Sequence, residues 1–135
     1  MKFEVEVDGL VTSGGLGCLA ILPQALQRVS DLSHAFPDQA ISGIGGIRGF
    51  REAFNFIVHG AGNLQVCTAA MEEKGSGGVG VKLIKELTDD LSDFLDRKGY
   101  ASVEDFRGLA RNRIVDHSQV RRKSDAYNGG YAKSA

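Results

Sequence analysis

Small residues follow two consecutive predicted strands, and their pattern could hold an anion. The run Gly43-Ile44-Gly45-Gly46 comes after one predicted strand and before a predicted helix. Glycine lets the backbone approach a ligand closely there, and amide groups at a helix start favour negative charge. One strand–helix unit later, residues 66–69 again place small residues at a strand end, with a hydroxyl at Thr68. Two adjacent loops of this kind indicate a shared phosphate site.

Each of these features also has a simpler interpretation. A glycine-rich turn often serves only to reverse the chain, and Thr68 could simply cap the segment that follows it. The two cysteines, Cys18 and Cys67, form no CxxC pair, so we expect reduced thiols and no metal site. The three histidines, at positions 34, 59 and 117, are expected to be solvated. The sequence therefore predicts no catalytic base and no metal ligand.

The composition favours one folded domain. The chain has 135 residues, of which 42% are hydrophobic and 24% charged, with a net charge of -1. A charge so close to zero gives no reason to expect nucleic acid or an anionic membrane as partner. The sequence contains no apolar run of the ~20 residues that span a bilayer, and its start has no apolar signal region. We therefore expect a cytoplasmic protein.

The predicted elements around these loops alternate strand, glycine loop and helix. Alternating apolar residues predict a strand at residues 3–7, followed by a glycine loop at 14–17, and further strands are expected at 39–42 and 64–67. Helical spacing of apolar residues predicts helices at 23–34, 50–59 and 81–98, and a capping box at Ser102 predicts a last helix to about residue 112. The helix at 81–98 is expected to turn Ile84 and Leu87 inward. Such an order predicts an α/β fold of about three βα units with parallel strands, too few for a closed barrel of ~250 residues.

Three runs of the sequence resemble the end of the FMN-binding barrel in the NAD-dependent dihydropyrimidine dehydrogenase family. They are Ile41-Ser42-Gly43-Ile44-Gly45-Gly46-Ile47, His59-Gly60-Ala61-Gly62 and Leu64-Gln65-Val66-Cys67-Thr68-Ala69-Ala70-Met71. Residues 12–26 and 98–108 resemble the flanking segments of that family, so the resemblance covers about residues 9–110. Class 1 dihydroorotate dehydrogenases carry a looser version of the same runs.

The resemblance implies a partial TIM barrel and a set of cofactor-binding residues. Residues 1–114 would be the carboxy-terminal part of the barrel, about three βα units plus carboxy-terminal helices, and residues 115–135 a disordered tail. The implied FMN-binding residues are Gly17, Cys18, Gly45, Gly46, Ile47, Cys67 and Thr68. Those from 45 onward would hold the phosphate, and the loop at Gly17 and Cys18 would approach the flavin from the side. The family more often has glycine where Cys18 stands. A Gly46→Val side chain is expected to crowd the phosphate.

The resemblance also implies a function. The chain would be a fragment of a flavin-dependent dihydropyrimidine dehydrogenase, an oxidoreductase of pyrimidine metabolism that acts on CH–CH bonds. In the family the amino-terminal half supplies the substrate and proton-transfer residues, so we predict no catalytic residue here and no activity of the chain alone. NAD and iron–sulfur clusters would belong only to the wider complex. The expected partner is the missing half or a second copy. Alternatives are a dihydroorotate dehydrogenase fragment, a non-redox module for a phosphate ligand, and a self-assembling half-barrel.

Overall fold

The computed structural model describes residues 2–72 and 79–115. Most of the expected disordered tail therefore lies outside the described residues. The elements, in chain order, are β1 Lys2–Val7, β2 Leu10–Gly15, α1 Leu22–Ala35, β3 Ser42–Ile44, α2 Phe50–Val58, β4 Asn63–Gln65, α3 Thr68–Glu72 and α4 Val79–Lys98. Short 3₁₀ segments span Cys18–Ile21, Val103–Asp105 and Arg111–Arg113. No helix in the described ranges is long and apolar enough to cross a bilayer.

The first two strands form an antiparallel hairpin. Val7 pairs with Leu10 across a turn in which Asp8 and Gly9 both have positive φ, 50° and 76°. Asp-Gly in this conformation is the usual two-residue hairpin connection, because its twist matches that of the strands. The prediction that the first strand begins a βα unit was therefore wrong. Much of the expected glycine loop, up to Gly15, is the second strand of the hairpin.

The two later strands are parallel, with α2 between them in sequence. Ser42 pairs with Asn63 and Ile44 with Gln65. The described residues thus contain one parallel pair rather than about three parallel βα units. An added Cβ at Gly43 would lie 2.8 Å from Cδ1 of Phe56, so the glycine lets α2 pack directly on the sheet.

The core lies between this parallel pair and the helices α1 and α2. Phe56 is fully buried, and Ile47, which directly follows the glycine run, is 3% exposed. The buried cluster consists of Val29, Ile41, Ile47, Ala53, Phe56 and Ala61. Burial of Ile47 fixes the end of the glycine loop against the core.

Helix α4 and the closing segment pack on α2 through aromatic rings. The ring centroids of Phe50, Phe54, Phe94, Tyr100 and Phe106 lie 4.9 to 6.1 Å from their neighbours. Ile84, which was expected to face inward, is 60% exposed. Leu87 does pack against the core cluster, as predicted.

The predicted last helix is replaced by 3₁₀ segments and turns. Its capping box is present, since the backbone N–H of Ser102 donates to Oδ2 of Asp105 at 2.9 Å. Further along, however, the backbone N–H groups of Gly108 and Ala110 donate to the carbonyls of Ile57 and Val58. These bonds provide partners for the last carbonyls of α2. The same two N–H groups are then not available for hydrogen bonds within the predicted last helix. Gly108 also has a φ of 76°, which a helix does not use.

Candidate functional site

A cavity of about 330 Å³ opens where β3 and β4 end at their carboxyl sides. All seven residues that the sequence assigned to a cofactor line it: Gly17, Cys18, Gly45, Gly46, Ile47, Cys67 and Thr68. The remaining lining residues are Leu16, Ile21, Ile44, Arg48, Gln65 and Ala69. The two loops therefore face one space, and the segment that leads into α1 forms a third wall.

Gly46 allows two of these walls to touch through their backbones. A Cβ at Gly46 would lie 2.8 Å from Cβ of Leu22 and 2.9 Å from the carbonyl oxygen of Cys18. Its φ of 76° also lies in the left-handed region that favours glycine. A side chain here would first collide with the chain itself. Crowding of a phosphate by Gly46→Val stays a prediction, and this collision adds a second, structural effect of the same substitution.

Several backbone N–H groups of the residues that line the cavity have no hydrogen-bond acceptor among the described residues. Within residues 2–72 and 79–115, the N–H groups of Gly46, Ile47, Cys67 and Thr68 have no hydrogen-bond acceptor. Backbone donors in folded proteins are nearly always paired, so donors that remain open at a cavity suit a ligand rich in acceptors. Thr68 begins α3, and its hydroxyl makes no capping bond to a described residue. The arrangement can hold an anion such as phosphate.

Sequence reasoning missed two polar side chains of the cavity. Arg48 follows the glycine run directly, and its Nη1 lies 3.7 Å from Sγ of Cys18. Gln65 donates from Nε2 to Oγ of Ser42 at 2.7 Å, across the parallel strands. The sequence did contain a signal for Arg48, because this positively charged residue lies close to the glycine run that was expected to bind an anion. No comparable signal marked Gln65.

Within the described residues the two cysteines form no disulfide, and their surroundings differ. Cys18 is half-buried and has a φ of 59°, a conformation that L-residues rarely adopt. This explains physically why a glycine would suit its position. Cys67 is exposed, and its Sγ lies 3.8 Å from Sδ of Met71. In the described part of the chain, no group of three or more His, Cys, Asp or Glu side chains could hold a metal ion.

The two described histidines, His34 and His59, lie away from the cavity lining. His34 is exposed in α1, as expected. His59 is half-buried, and its Nδ1 forms a hydrogen bond of 2.7 Å with the carbonyl oxygen of Asn55. It is therefore bound to the backbone rather than simply solvated. His117 lies outside the described residues.

No protein-family model matches the sequence, but curated proteins do. The chloroplastic dihydropyrimidine dehydrogenase (NADP(+)) of Arabidopsis thaliana is 32% identical over 132 residues, which cover 93% of this chain and 30% of that protein. The dihydroorotate dehydrogenase (fumarate) of Trypanosoma cruzi is 40% identical over 98 residues, 73% of this chain and 29% of that protein. The NAD-dependent dihydropyrimidine dehydrogenase subunit PreA of Escherichia coli (strain K12) is 32% identical over 123 residues, 90% of this chain and 28% of that protein.

Solved structures agree with these relatives. Ligand-free DHODH from Eimeria tenella superposes with a TM-score of 0.62 at 27% identity, covering 73% of this chain and 26% of that one. The complex of DHODH from the same organism with ferulenol gives a TM-score of 0.61. The resemblance described from sequence is thus confirmed. The chain spans about 30% of the length of the curated relatives named above, which is consistent with a carboxy-terminal fragment of that superfamily.

Proposed function

We propose, on the premise that this chain is homologous to part of the dihydropyrimidine and dihydroorotate dehydrogenases, that its cavity binds the phosphate of FMN. One observation carries the proposal. Gly46, Ile47, Cys67 and Thr68 line a single cavity, and their amide N–H groups have no acceptor among the described residues. A phosphate offers several acceptor oxygens and a negative charge, and such donors suit both.

Each wall of the cavity has its own part in this proposal. The loops at Gly46 and Thr68 bind the phosphate, and the Thr68 hydroxyl adds a side-chain donor. The segment at Gly17 and Cys18 contacts the flavin side of the cofactor. Bound FMN would accept the hydride from a dihydropyrimidine, and the residues of this chain would hold the cofactor in place for that step.

The proposal extends to the organisation of the enzyme. Residues 1–114 form the carboxy-terminal part of an FMN-binding β/α barrel, and the substrate residues come from an amino-terminal part or from a partner chain. Ile44 lies in the parallel sheet with 51% of its surface exposed, as expected for a strand whose other face is covered by missing structure. That missing part, or a second copy of this chain, is the proposed partner.

Flavin titration tests the cofactor assignment. We expect the purified chain to quench FMN fluorescence with saturation, and to bind riboflavin at least tenfold more weakly because riboflavin lacks the phosphate. Thr68→Val should weaken FMN binding about 2- to 10-fold, the equivalent of one lost hydrogen bond of about 0.5–1.5 kcal/mol.

Thr88→Val is the matched control, because Thr88 lies exposed on α4 and its hydroxyl bonds the carbonyl of Ile84. It should bind FMN like the wild type. Equal affinity for FMN and riboflavin, or no binding of FMN, would contradict the proposal.

The dehydrogenase assignment needs a separate measurement. The chain alone is expected to oxidise neither dihydrouracil nor dihydroorotate. Adding the amino-terminal part of such an enzyme should restore oxidation of dihydrouracil, coupled to NAD in the complete complex. Oxidation of dihydroorotate alone would instead assign the chain to the other group of relatives.

A further inference from the structure

We infer that Gln65 binds a hydroxyl group of the ligand, so that the cavity prefers a phosphate ester of a polyol, such as the ribityl phosphate of FMN, to one without hydroxyl groups. This inference rests on the phosphate site of the proposed function and names a further residue that determines its specificity. Gln65 is the last residue of β4, and its side chain lines the cavity. Cys67 and Thr68, whose N–H groups are proposed to bind the phosphate, follow shortly after it in the chain.

Strand pairing places the Gln65 side chain on the face of the parallel sheet that α2 does not cover. Gln65 pairs with Ile44, and side chains alternate between the two faces along each strand. The opposite face carries Gly43 and Leu64. An added Cβ at Gly43 would meet Phe56 of α2, and Leu64 packs against the core cluster. Residues 44 and 65 therefore lie on the other face, where both line the cavity.

A hydrogen bond to the neighbouring strand holds the Gln65 amide in place. Its Nε2 donates to Oγ of Ser42 at 2.7 Å, from β4 to β3. A primary amide has two N–H donors and a carbonyl oxygen that accepts, so one N–H and the oxygen of Gln65 have no partner among the described residues. Gln65 is also exposed, so these two groups are accessible to a ligand in the cavity. Ser42 is thus a positioning residue for the amide.

A hydroxyl group suits this amide better than a phosphate oxygen does. A hydroxyl both donates and accepts hydrogen bonds, so it can pair with the carbonyl oxygen of Gln65 as well as with its N–H. The oxygens of a phosphate monoester dianion only accept, and would leave that carbonyl oxygen without a donor. The Cα atoms of Gln65 and Cys67 are at most about 7 Å apart, the length of two fully extended residues. A short hydroxylated carbon chain attached to the phosphate can span that separation.

Ribitol 5-phosphate and pentyl phosphate are matched probes for this role of Gln65. Both are phosphate monoesters of a five-carbon chain, and only the first carries further hydroxyl groups. Titration calorimetry gives the dissociation constant of each, and the ratio of the pentyl phosphate constant to the ribitol 5-phosphate constant measures the preference for hydroxyl groups. Gln65→Ala should lower this ratio about 2- to 10-fold, the equivalent of one lost hydrogen bond. FMN binding should weaken by a similar factor.

Three further variants serve as controls. Asn63→Ala is the matched control, because Asn63 is an exposed amide of the same strand and lies outside the cavity lining. It should keep the ratio of the wild type. Ser42→Ala should lower the ratio by less than Gln65→Ala does, because the amide remains but is no longer held, and Ser42→Thr should restore it by keeping the hydroxyl. Similar urea midpoints for Gln65→Ala and Asn63→Ala check that both variants are folded.

The outcomes separate the two proposals. If Gln65→Ala leaves the ratio unchanged, or if Asn63→Ala lowers it as much, the role of Gln65 is refuted and the phosphate site stands. If the ratio falls only in Gln65→Ala but the wild type does not bind FMN, the FMN assignment fails and the preference for polyol phosphates stands. If the wild type binds neither probe, the role of Gln65 is refuted whether or not FMN binds.

Discussion

Replacing Gly46 by alanine should destabilise the chain much more than the same change at Gly99 or Gly15. Alanine at a φ of 76° costs about 1–2 kcal/mol relative to a right-handed conformation. Its Cβ would also lie 2.8 Å from Leu22 Cβ and 2.9 Å from the Cys18 carbonyl oxygen. Overpacking of this kind costs about 1–3 kcal/mol, because backbone must move. The reduced entropy of the unfolded chain offsets only about 0.4–1 kcal/mol, and the net loss expected from these effects is about 1–5 kcal/mol.

Two control glycines separate these causes. Gly99 also has a positive φ, 69°, but an added Cβ there meets no described heavy atom within 4 Å. Gly99→Ala should therefore show the conformational cost alone, a net loss of about 1 kcal/mol. Gly15 has neither a positive φ nor a described neighbour within 4 Å, so Gly15→Ala should stay within about 0.5 kcal/mol of the wild type.

Urea unfolding followed by the helical circular dichroism signal measures all three variants. With a slope of about 1–3 kcal/mol per molar urea, the midpoint of Gly46→Ala should fall by roughly 1–2 M. Gly99→Ala should fall by less than half as much. A midpoint for Gly46→Ala equal to that of Gly99→Ala would show that the close contact with the α1 segment carries no energy. Equality with Gly15→Ala would refute the whole argument.

Two further predictions use the same unfolding measurement. Ser33 is fully buried, and its Oγ accepts a 2.7 Å hydrogen bond from Nε of Arg111, so Ser33→Ala should lower the free energy of unfolding by about 1.5–3 kcal/mol. Ser92→Ala, on the exposed side of α4, should lower it by less than about 0.5 kcal/mol. Equal losses would show that the buried hydrogen bond does not contribute to stability. Cys18→Gly should be more stable than Cys18→Ala by about 0.5–1 kcal/mol, because glycine adopts the positive φ at position 18 without steric cost. The reverse order would show that the backbone at position 18 is not strained.

The sequence predicted the cavity well because its main parts are local. A glycine run and Thr68 each follow a strand, and the two strands are neighbours and parallel. Carboxyl ends of parallel neighbours lie at one edge of a sheet, so the two loops had to face each other. Residue type and order along the chain were enough for that conclusion.

The errors of prediction have a common origin in competition between local and distant partners. The Asp8-Gly9 turn pairs residues up to 15 in a hairpin, although residues 14 and 15 were expected to begin a glycine loop. The last predicted helix lost its donors at Gly108 and Ala110 to the end of α2. Ile84 fits a helical stripe, but α4 turns it to the surface. Periodicity cannot rank such alternatives, because each depends on what packs nearby.

By itself, the sequence determined which residues can offer backbone donors to an anion, since glycine has no side chain and those of cysteine and threonine are small, which leaves the backbone N–H groups accessible. Only the tertiary structure decided that Cys18 and Arg48 meet across the same cavity and that Gly46 sits against α1 rather than in open space. These positions are set by the packing of α1 on β3 and α2, and distances between residues 30 apart in the chain follow from that packing alone.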